Sequence, residues 1–72
     1  MTVSQYLQEM YAKRRANFLA IAEGKSNTSL AATMLVTKVS VNGFKHGHRH
    51  ITEVRARLIE QCFGLSFGDL DK

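Results

Sequence analysis

The chain has 72 residues, which suffices for one small domain and leaves no room for a second lobe or a large substrate cleft. Its hydrophobic content of 44% and charged content of 22% are typical of a globular protein rather than a disordered one. The single cysteine excludes an internal disulfide, and no apolar run has the length of a signal peptide or a membrane span. We therefore expect a cytoplasmic protein that does not contact a membrane.

The net charge of +4 is unevenly distributed along the chain. No Asp or Glu occurs between Glu23 and Glu53, although four Lys or Arg residues and three His residues lie in that stretch. A cationic segment without carboxylates is typical of a face that binds phosphates, and a solvated basic surface is the alternative. The charge pattern thus predicts an anionic partner that contacts the middle of the chain.

The first predicted element is a helix over about residues 3–23. Apolar side chains recur there at intervals of three or four residues, whereas period-two alternation is scarce throughout the chain. Thr2 and Gln5 are spaced as a capping box at its start, and Gly24 ends it.

Two short helices are predicted next, over about residues 26–35 and 37–46. Ser26 and Thr37 are their expected caps, and Gly47 ends the second of them. Because only two or three residues join the pair, the helices cannot lie antiparallel and must cross steeply. That geometry is typical of a helix-turn-helix, here over residues 26–47.

The last predicted helix runs from a cap at Thr52 through Phe63, and Gly64 ends it. A short final turn is expected around Phe67 and Leu70. We expect the following residues on the inner side of this helix: Val54, Leu58, Ile59 and Cys62. The sole cysteine is accordingly interpreted as a small buried thiol.

The order of apolar and small residues between positions 27 and 47 is distinctive. The positions that matter are Leu30, Ala31, Met34, Val36, Val41 and Phe44, followed by Gly47-His48-Arg49. This order resembles the helix-turn-helix of the phage repressor class, the Cro/cI or XRE family. The resemblance continues without a gap through Ile51-Thr52-Glu53, Ala56-Arg57-Leu58-Ile59-Glu60, Phe63-Gly64-Leu65 and Leu70-Asp71, and it covers about residues 13 to 71.

The resemblance implies a lambda repressor-like fold. We expect an all-α, compact bundle of four or five helices with the helix-turn-helix at its centre. One domain would comprise residues 1–72, and residues 1–12 would extend the first helix at its N-terminus.

Two positions depart from the family pattern. The turn holds Leu35 where the family has glycine, and a left-handed backbone there would be strained for leucine. Gly43 lies inside the third helix, where glycine costs about 1 kcal/mol relative to alanine. We interpret Gly43 as a point of close approach to DNA, and a locally weak helix is the alternative.

The outer face of the third helix favours base recognition. With Val41 and Phe44 pointing inward, this face is small and mainly neutral, which suits a surface that enters a major groove about 12 Å wide. Lys38 would donate to guanine, and Asn42, one turn further on, would pair with adenine. The predicted base-reading residues are Lys38, Val39, Ser40, Asn42 and Gly43.

Phosphate contacts are expected at the N-terminus of the second helix, where free N–H groups attract anions, and at the end of the third. The predicted phosphate-binding residues are Asn27, Thr28, Lys45, His46, His48 and Arg49. Since one monomer reads only a few base pairs, a homodimer on a pseudo-palindromic operator is expected. The resemblance implies a dimer surface in the C-terminal third, at Phe63, Leu65, Phe67 and Leu70, and the N-terminal extension of the first helix is a second candidate.

The function implied by the resemblance is that of a sequence-specific repressor of phage, prophage or mobile-element type in a bacterial host. Antitoxins use the same fold to bind a partner protein, and the apolar residues at both ends of the chain leave that interpretation open. His46, His48 and His50 alternate, but no second ligand cluster completes a zinc site. We expect no metal, no cofactor, no catalytic residue and no small-molecule substrate.

Overall fold

The computed structural model describes residues 2–72, so that Met1, the first residue of the predicted extension, lies outside the described residues. Four α-helices follow one another: α1 (Val3–Ala22), α2 (Asn27–Met34), α3 (Lys38–His46) and α4 (Glu53–Cys62). A short 3-10 turn (Asp69–Asp71) ends the chain, and no strand occurs within residues 2–72. The predictions of an all-α class and of four helices are therefore confirmed. No helix in this part of the chain is long and apolar enough to cross a lipid bilayer.

The starts of α1, α2 and α3 follow the predicted capping chemistry, whereas the side-chain cap predicted at Thr52 is absent. The Thr2 hydroxyl accepts from the Gln5 N–H at 3.1 Å, and the Gln5 side chain accepts from the Thr2 N–H at 2.8 Å, which completes the capping box. The hydroxyls of Ser26 and Thr37 likewise cap α2 and α3. Thr52 precedes α4 without a side-chain cap.

The turn between α2 and α3 consists of three residues, 35–37. Leu35 lies in the left-handed region with φ 56° and ψ 42°, and it is the one non-glycine residue with positive φ among residues 2–72. The N–H groups of Leu35 and Val36 both donate to the carbonyl of Ala31, which closes the end of α2. The strain expected at Leu35 is thus present, and no local change of the turn relieves it.

The hydrophobic core draws on all four helices, the α3–α4 loop and the C-terminal turn. Phe18 of α1 meets Phe44 of α3 edge to face, with ring centroids 6.1 Å apart. The fully or largely buried apolar residues are Phe18, Ala22, Leu30, Ala31, Met34, Val41, Phe44, Ile51, Ala56, Ile59 and Leu70. Leu70 is completely buried, so its prediction as a dimer contact is wrong: the final turn folds back over α1 and α4 and places this side chain in the core.

The buried side of α4 differs from the predicted one. Ala56, Ile59 and Glu60 face inward, while Val54 is 71% exposed and Leu58 is 43% exposed. Cys62 is also exposed, so its interpretation as a buried thiol is wrong. The expected inner side followed apolar residues alone, whereas the helix rotates to place the Glu60 carboxylate inside.

Glu60 is buried because the C-terminal turn and an arginine surround it. Its Oε2 accepts from the Leu70 N–H at 2.9 Å, and its Oε1 lies 3.1 Å from Arg57 Nε. The hydrogen bond from Leu70 ties α4 to the end of the chain. The ion pair with Arg57 offsets part of the cost of burying the charge, but Glu60 Oε1 and Arg57 Nε make no hydrogen bond among residues 2–72.

Arg14 is the second buried charge, on the α1 face where the pattern is otherwise apolar. Its guanidinium donates to Asp71 at 2.6 Å, to Glu53 at 2.7 Å and to the carbonyl of Ile51 at 3.0 Å. Arg57 adds ion pairs to Asp71 at 2.8 Å and to Glu53 at 3.4 Å. We call these five side chains the ion-pair cluster: Arg14, Glu53, Arg57, Glu60 and Asp71.

Candidate nucleic-acid interface

Helix α3 presents two contrasting faces. Val41 and Phe44 are buried against the rest of the protein, as the spacing predicts. Lys38, Val39 and Asn42 are exposed on the other side, and Val39 is 69% exposed. A β-branched apolar side chain that projects into water next to an amide and an ammonium group is suited to a contact with base edges.

Two of the predicted base-reading residues lie differently. Ser40 is half-buried at the edge of the exposed face, beside a groove that is also lined by Arg49 and Arg55. Gly43 is buried, so the prediction that it approaches DNA is wrong. A Cβ at Gly43 would lie 2.8 Å from Cγ of Arg49 and 2.9 Å from its Cδ, and the Gly43 carbonyl accepts from the Arg49 N–H at 3.2 Å. The close approach that requires glycine is therefore made by the α3–α4 loop.

A hydrogen bond from a lysine joins the C-terminal half of α3 to the N-terminus of α2. Lys45 Nζ donates to Oδ1 of Asn27 at 2.6 Å, at the first residue of α2. The hydroxyl of Ser26 accepts a hydrogen bond from the N–H of Ser29. The N–H groups of Asn27 and Thr28 then have no protein acceptor among residues 2–72. An ammonium group beside the positive end of a helix dipole is electrostatically unfavourable unless an anion joins them.

The remaining predicted phosphate contacts surround the end of α3. His46, His48 and Arg49 are exposed, and the rings of His46 and His48 lie 6.3 Å apart. His50 turns away and stacks on Tyr11 of α1 with ring centroids 4.2 Å apart. Within residues 2–72, no group of three or more potential ligands is placed to hold a metal ion.

Acidic and basic side chains are segregated in the fold. Four of the six carboxylates lie in ion pairs, and none of these involves a side chain of α2 or α3. Among residues 2–72, the cations outside ion pairs are Lys13, Arg15, Lys25, Lys38, Lys45, Arg49 and Arg55. Helix α3 and its surroundings consequently carry most of the net positive charge.

Arg55 and Arg15 extend the cationic surface beyond the predicted residues. Arg55 lines the groove beside Ser40, and Arg15 Nε donates to the carbonyl of Lys45 at 2.9 Å. A signal for Arg55 was present in the sequence: it has no acidic residue three or four positions away, whereas Arg57 has Glu53 and Glu60 at those distances.

The predicted dimer residues are spread over different environments. Phe63 and Leu65 are half-buried, and Phe63 packs against the core. Phe67 is 80% exposed, with the Arg57 guanidinium 4.4 Å above its ring. Comparisons of the chain with known protein families, curated proteins and solved structures found no match.

Proposed function

We propose that this protein is a sequence-specific DNA-binding repressor in which α2 and α3 form a helix-turn-helix of the lambda repressor-like type. The observation that carries the proposal is the exposed face of α3, which is free of carboxylates and is flanked by cations that have no ion-pair partner. Such a face attracts the phosphate backbone and still offers neutral groups to the bases. The resemblance of residues 27–47 to the Cro/cI or XRE family favours the same function.

In the proposed complex, α3 enters the major groove. Lys38 and Asn42 read base edges by hydrogen bonds, and Val39 contacts a thymine methyl group. The free N–H groups at the start of α2 bind one phosphate, to which Lys45 adds its charge. Arg49 and Arg55 contact the backbone on the other side of α3, where they fix the register of the protein without reading sequence.

The operator is proposed to be a pseudo-palindrome bound by a homodimer, since one α3 helix spans only a few base pairs. With Leu70 buried, the C-terminal third still exposes Phe67 and a stripe along α4 formed by Val54, Leu58 and Cys62 at intervals of four residues. We place the dimer contact on this stripe. Oxidation by copper phenanthroline in the presence of operator should then cross-link two copies through Cys62, and Cys62→Ser is the control. A complex of one copy per operator would contradict the dimer.

The function is tested by selection from random duplex DNA at about 150 mM salt, where weak electrostatic binding is largely suppressed. The expected result is an enriched inverted repeat whose half-sites lie about one helical turn apart. No enrichment above the input would contradict a sequence-specific repressor.

A protein-interaction module, such as an antitoxin, is the second candidate. The observation in its favour is the first half of α1, where Val3 is 77%, Tyr6 is 52% and Leu7 is 41% exposed along one side of the helix. Tyr6→Lys with Leu7→Lys would abolish binding of a partner at this surface and leave operator binding intact. Loss of operator binding in the same variant would instead show that this surface of α1 takes part in the DNA complex.

A further inference from the structure

A cavity of about 230 Å³ lies between α1 and the segment that joins α3 to α4. One face of α1 forms its first wall with residues spaced three or four apart, and the loop forms the second. The lining residues are Gln8, Tyr11, Ala12, Arg15, Gly47, Arg49, His50 and Ile51. None of these residues is acidic, and the cavity lies outside the face of α3 that the proposed function uses.

The charged groups that line this cavity are two guanidinium groups, those of Arg15 and Arg49. Arg15 uses Nε for the Lys45 carbonyl, and its two terminal nitrogens have no acceptor among residues 2–72. The guanidinium of Arg49 has no acceptor there either, and only its backbone N–H is bonded. Arg15 and Arg49 both line this cavity, and Arg49 also lines the groove beside Ser40. A guanidinium group without a protein acceptor attracts an anion, which it can bind through two parallel hydrogen bonds.

Apart from Gln8 and Gly47, the rest of the lining is formed by two stacked rings and two aliphatic side chains. Tyr11 and His50 stack with an angle of 17° between their ring planes, and Ala12 and Ile51 complete the wall. A backbone phosphate of DNA is flanked by deoxyribose groups and has no aromatic ring next to it that could lie against these residues. The lining instead matches a small organic anion that carries an aromatic ring, because the ring removes apolar surface from water while the charge pairs with arginine.

We propose that this cavity, the effector pocket, binds a small aromatic carboxylate or phosphate monoester and that this ligand releases the protein from DNA. The second half of the statement rests on the proposed function. Both arginines of the pocket touch α3: Arg15 bonds the Lys45 carbonyl, and Arg49 covers Gly43. A ligand that engages Arg49 withdraws it from the phosphate contact that the proposed function assigns to it, so ligand and operator compete.

Phenyl phosphate is the probe, and inorganic phosphate is its control without a ring. Calorimetry or NMR titration of the full chain should give saturable binding of phenyl phosphate with a dissociation constant on the order of 1 mM or tighter, as its size allows. Inorganic phosphate should bind at least about tenfold more weakly, since it buries no apolar surface. Equal binding of the two would overturn the proposal, as would the absence of saturable phenyl phosphate binding.

Two leucine variants test the location. Ala12→Leu fills the pocket while both arginines remain, and it should weaken phenyl phosphate binding at least tenfold with operator affinity unchanged. Ala16→Leu is the matched control, an exposed α1 alanine that does not line the pocket, and it should change neither. Leucine suits a helix nearly as well as alanine does, so both variants should fold. Unaltered phenyl phosphate binding in Ala12→Leu would overturn the assignment of the ligand site to this cavity.

The two proposals fail in different ways. At constant ionic strength, about 10 mM phenyl phosphate should raise the apparent dissociation constant of the operator about tenfold if its own constant is near 1 mM. Ala12→Leu should abolish this effect. If an operator is selected but phenyl phosphate does not bind, only the proposal of an effector pocket is overturned. If phenyl phosphate binds, Ala12→Leu abolishes that binding and no operator is selected, only the proposal of a repressor is overturned.

Discussion

At the residue scale, two positions hold a residue that the local backbone disfavours: a leucine in a left-handed turn and a glycine inside a helix. Leu35 accepts left-handed strain at the end of α2 and projects into solvent with 89% exposure. Gly43 weakens α3 so that the stem of Arg49 can lie across it. The Leu35 side chain lies almost entirely in solvent, whereas the absence of a side chain at Gly43 lets α3 and the α3–α4 loop pack together.

We expect Leu35→Gly to raise the free energy of unfolding by about 1 kcal/mol, because glycine removes the left-handed strain that leucine bears. The melting temperature should rise by about 4–8 °C for a domain of this size. Thermal unfolding checks this result, with Leu35→Ala as the control that shortens the side chain and keeps the strain. A Leu35→Gly protein no more stable than the Leu35→Ala protein would contradict the explanation.

The effect of Gly43→Ala on the free energy of unfolding should depend on which residue occupies position 49. With Arg49 present, a Cβ at residue 43 meets Cγ at 2.8 Å, so the loop must shift and the helix-propensity gain is lost. In an Arg49→Ala background, the two closest contacts disappear and only the Cβ of residue 49 remains, at 3.3 Å, so the same change should be more favourable by about 0.5–1 kcal/mol than with Arg49 present. Urea unfolding of the four proteins in a double-mutant cycle measures the coupling, and a coupling near zero would show that the contact is unimportant.

At the element scale, each helix begins at a residue that local chemistry selects, while its orientation depends on the other helices. Ser26 and Thr37 cap α2 and α3 whatever the rest of the chain does. The inner side of α4, in contrast, is determined by the ion pairs and by the turn that reaches Glu60. The proposed recognition face of α3 combines both effects, because the cap sets where Lys38 lies and the packing of Val41 sets which way it points.

Base reading by α3 predicts a specific pattern of binding defects. Lys38→Ala and Asn42→Ala should each cost about 1–3 kcal/mol on the selected operator and relax its sequence preference. Arg49→Ala should weaken all sequences alike and lower the salt slope by about one unit. Lys72→Ala, which removes the same charge far along the chain from α3, is the control for Lys38→Ala. Fluorescence anisotropy on operator and random duplexes measures each effect, and an equal loss on both DNAs would refute base reading.

At the scale of the whole molecule, the ion-pair cluster joins α1, α4 and the C-terminal turn. Arg14 is 5% exposed, and a guanidinium at that depth is stable only with its acceptors in place. The pKa of Asp71 lies below its usual range chiefly because its carboxylate accepts a hydrogen bond from Arg14, with Arg57 adding to the effect. The same hydrogen bond raises the pKa of Arg14.

The direction in which the stability of the protein changes with pH follows from the lowered pKa of Asp71. Because its pKa is lower in the folded state, its stabilising contribution is complete above the unfolded pKa of about 3.9 and is lost as the pH falls through the folded value. We expect Asp71→Asn to cost about 3 kcal/mol near pH 7, as it leaves a buried arginine short of an acceptor. Urea unfolding at a series of pH values from 7 downward should show the difference in stability from the wild type shrink as the pH falls below the unfolded pKa of about 3.9.

Asp69→Asn is the matched control for this prediction. Asp69 also pairs with a cation, Lys72, but that cation is exposed. The pKa of Asp69 is likewise lowered, chiefly by its hydrogen bond with Lys72, yet its loss leaves no buried charge. If Asp69→Asn and Asp71→Asn destabilise the protein equally near pH 7, burial of Arg14 is not the reason.

The sequence by itself determined the helices, the caps of the first three and the inner side of α3, because these depend on contacts between residues a few positions apart. It also indicated the cationic middle of the chain and the unusual leucine in the turn. Only the tertiary structure decided which polar groups are buried. Arg14 and Glu60 go inside, Cys62 and Val54 stay outside, and Leu70 enters the core. The physical reason is distance along the chain: Arg14 and Asp71 lie 57 residues apart, and no local pattern reports a pair formed over that separation.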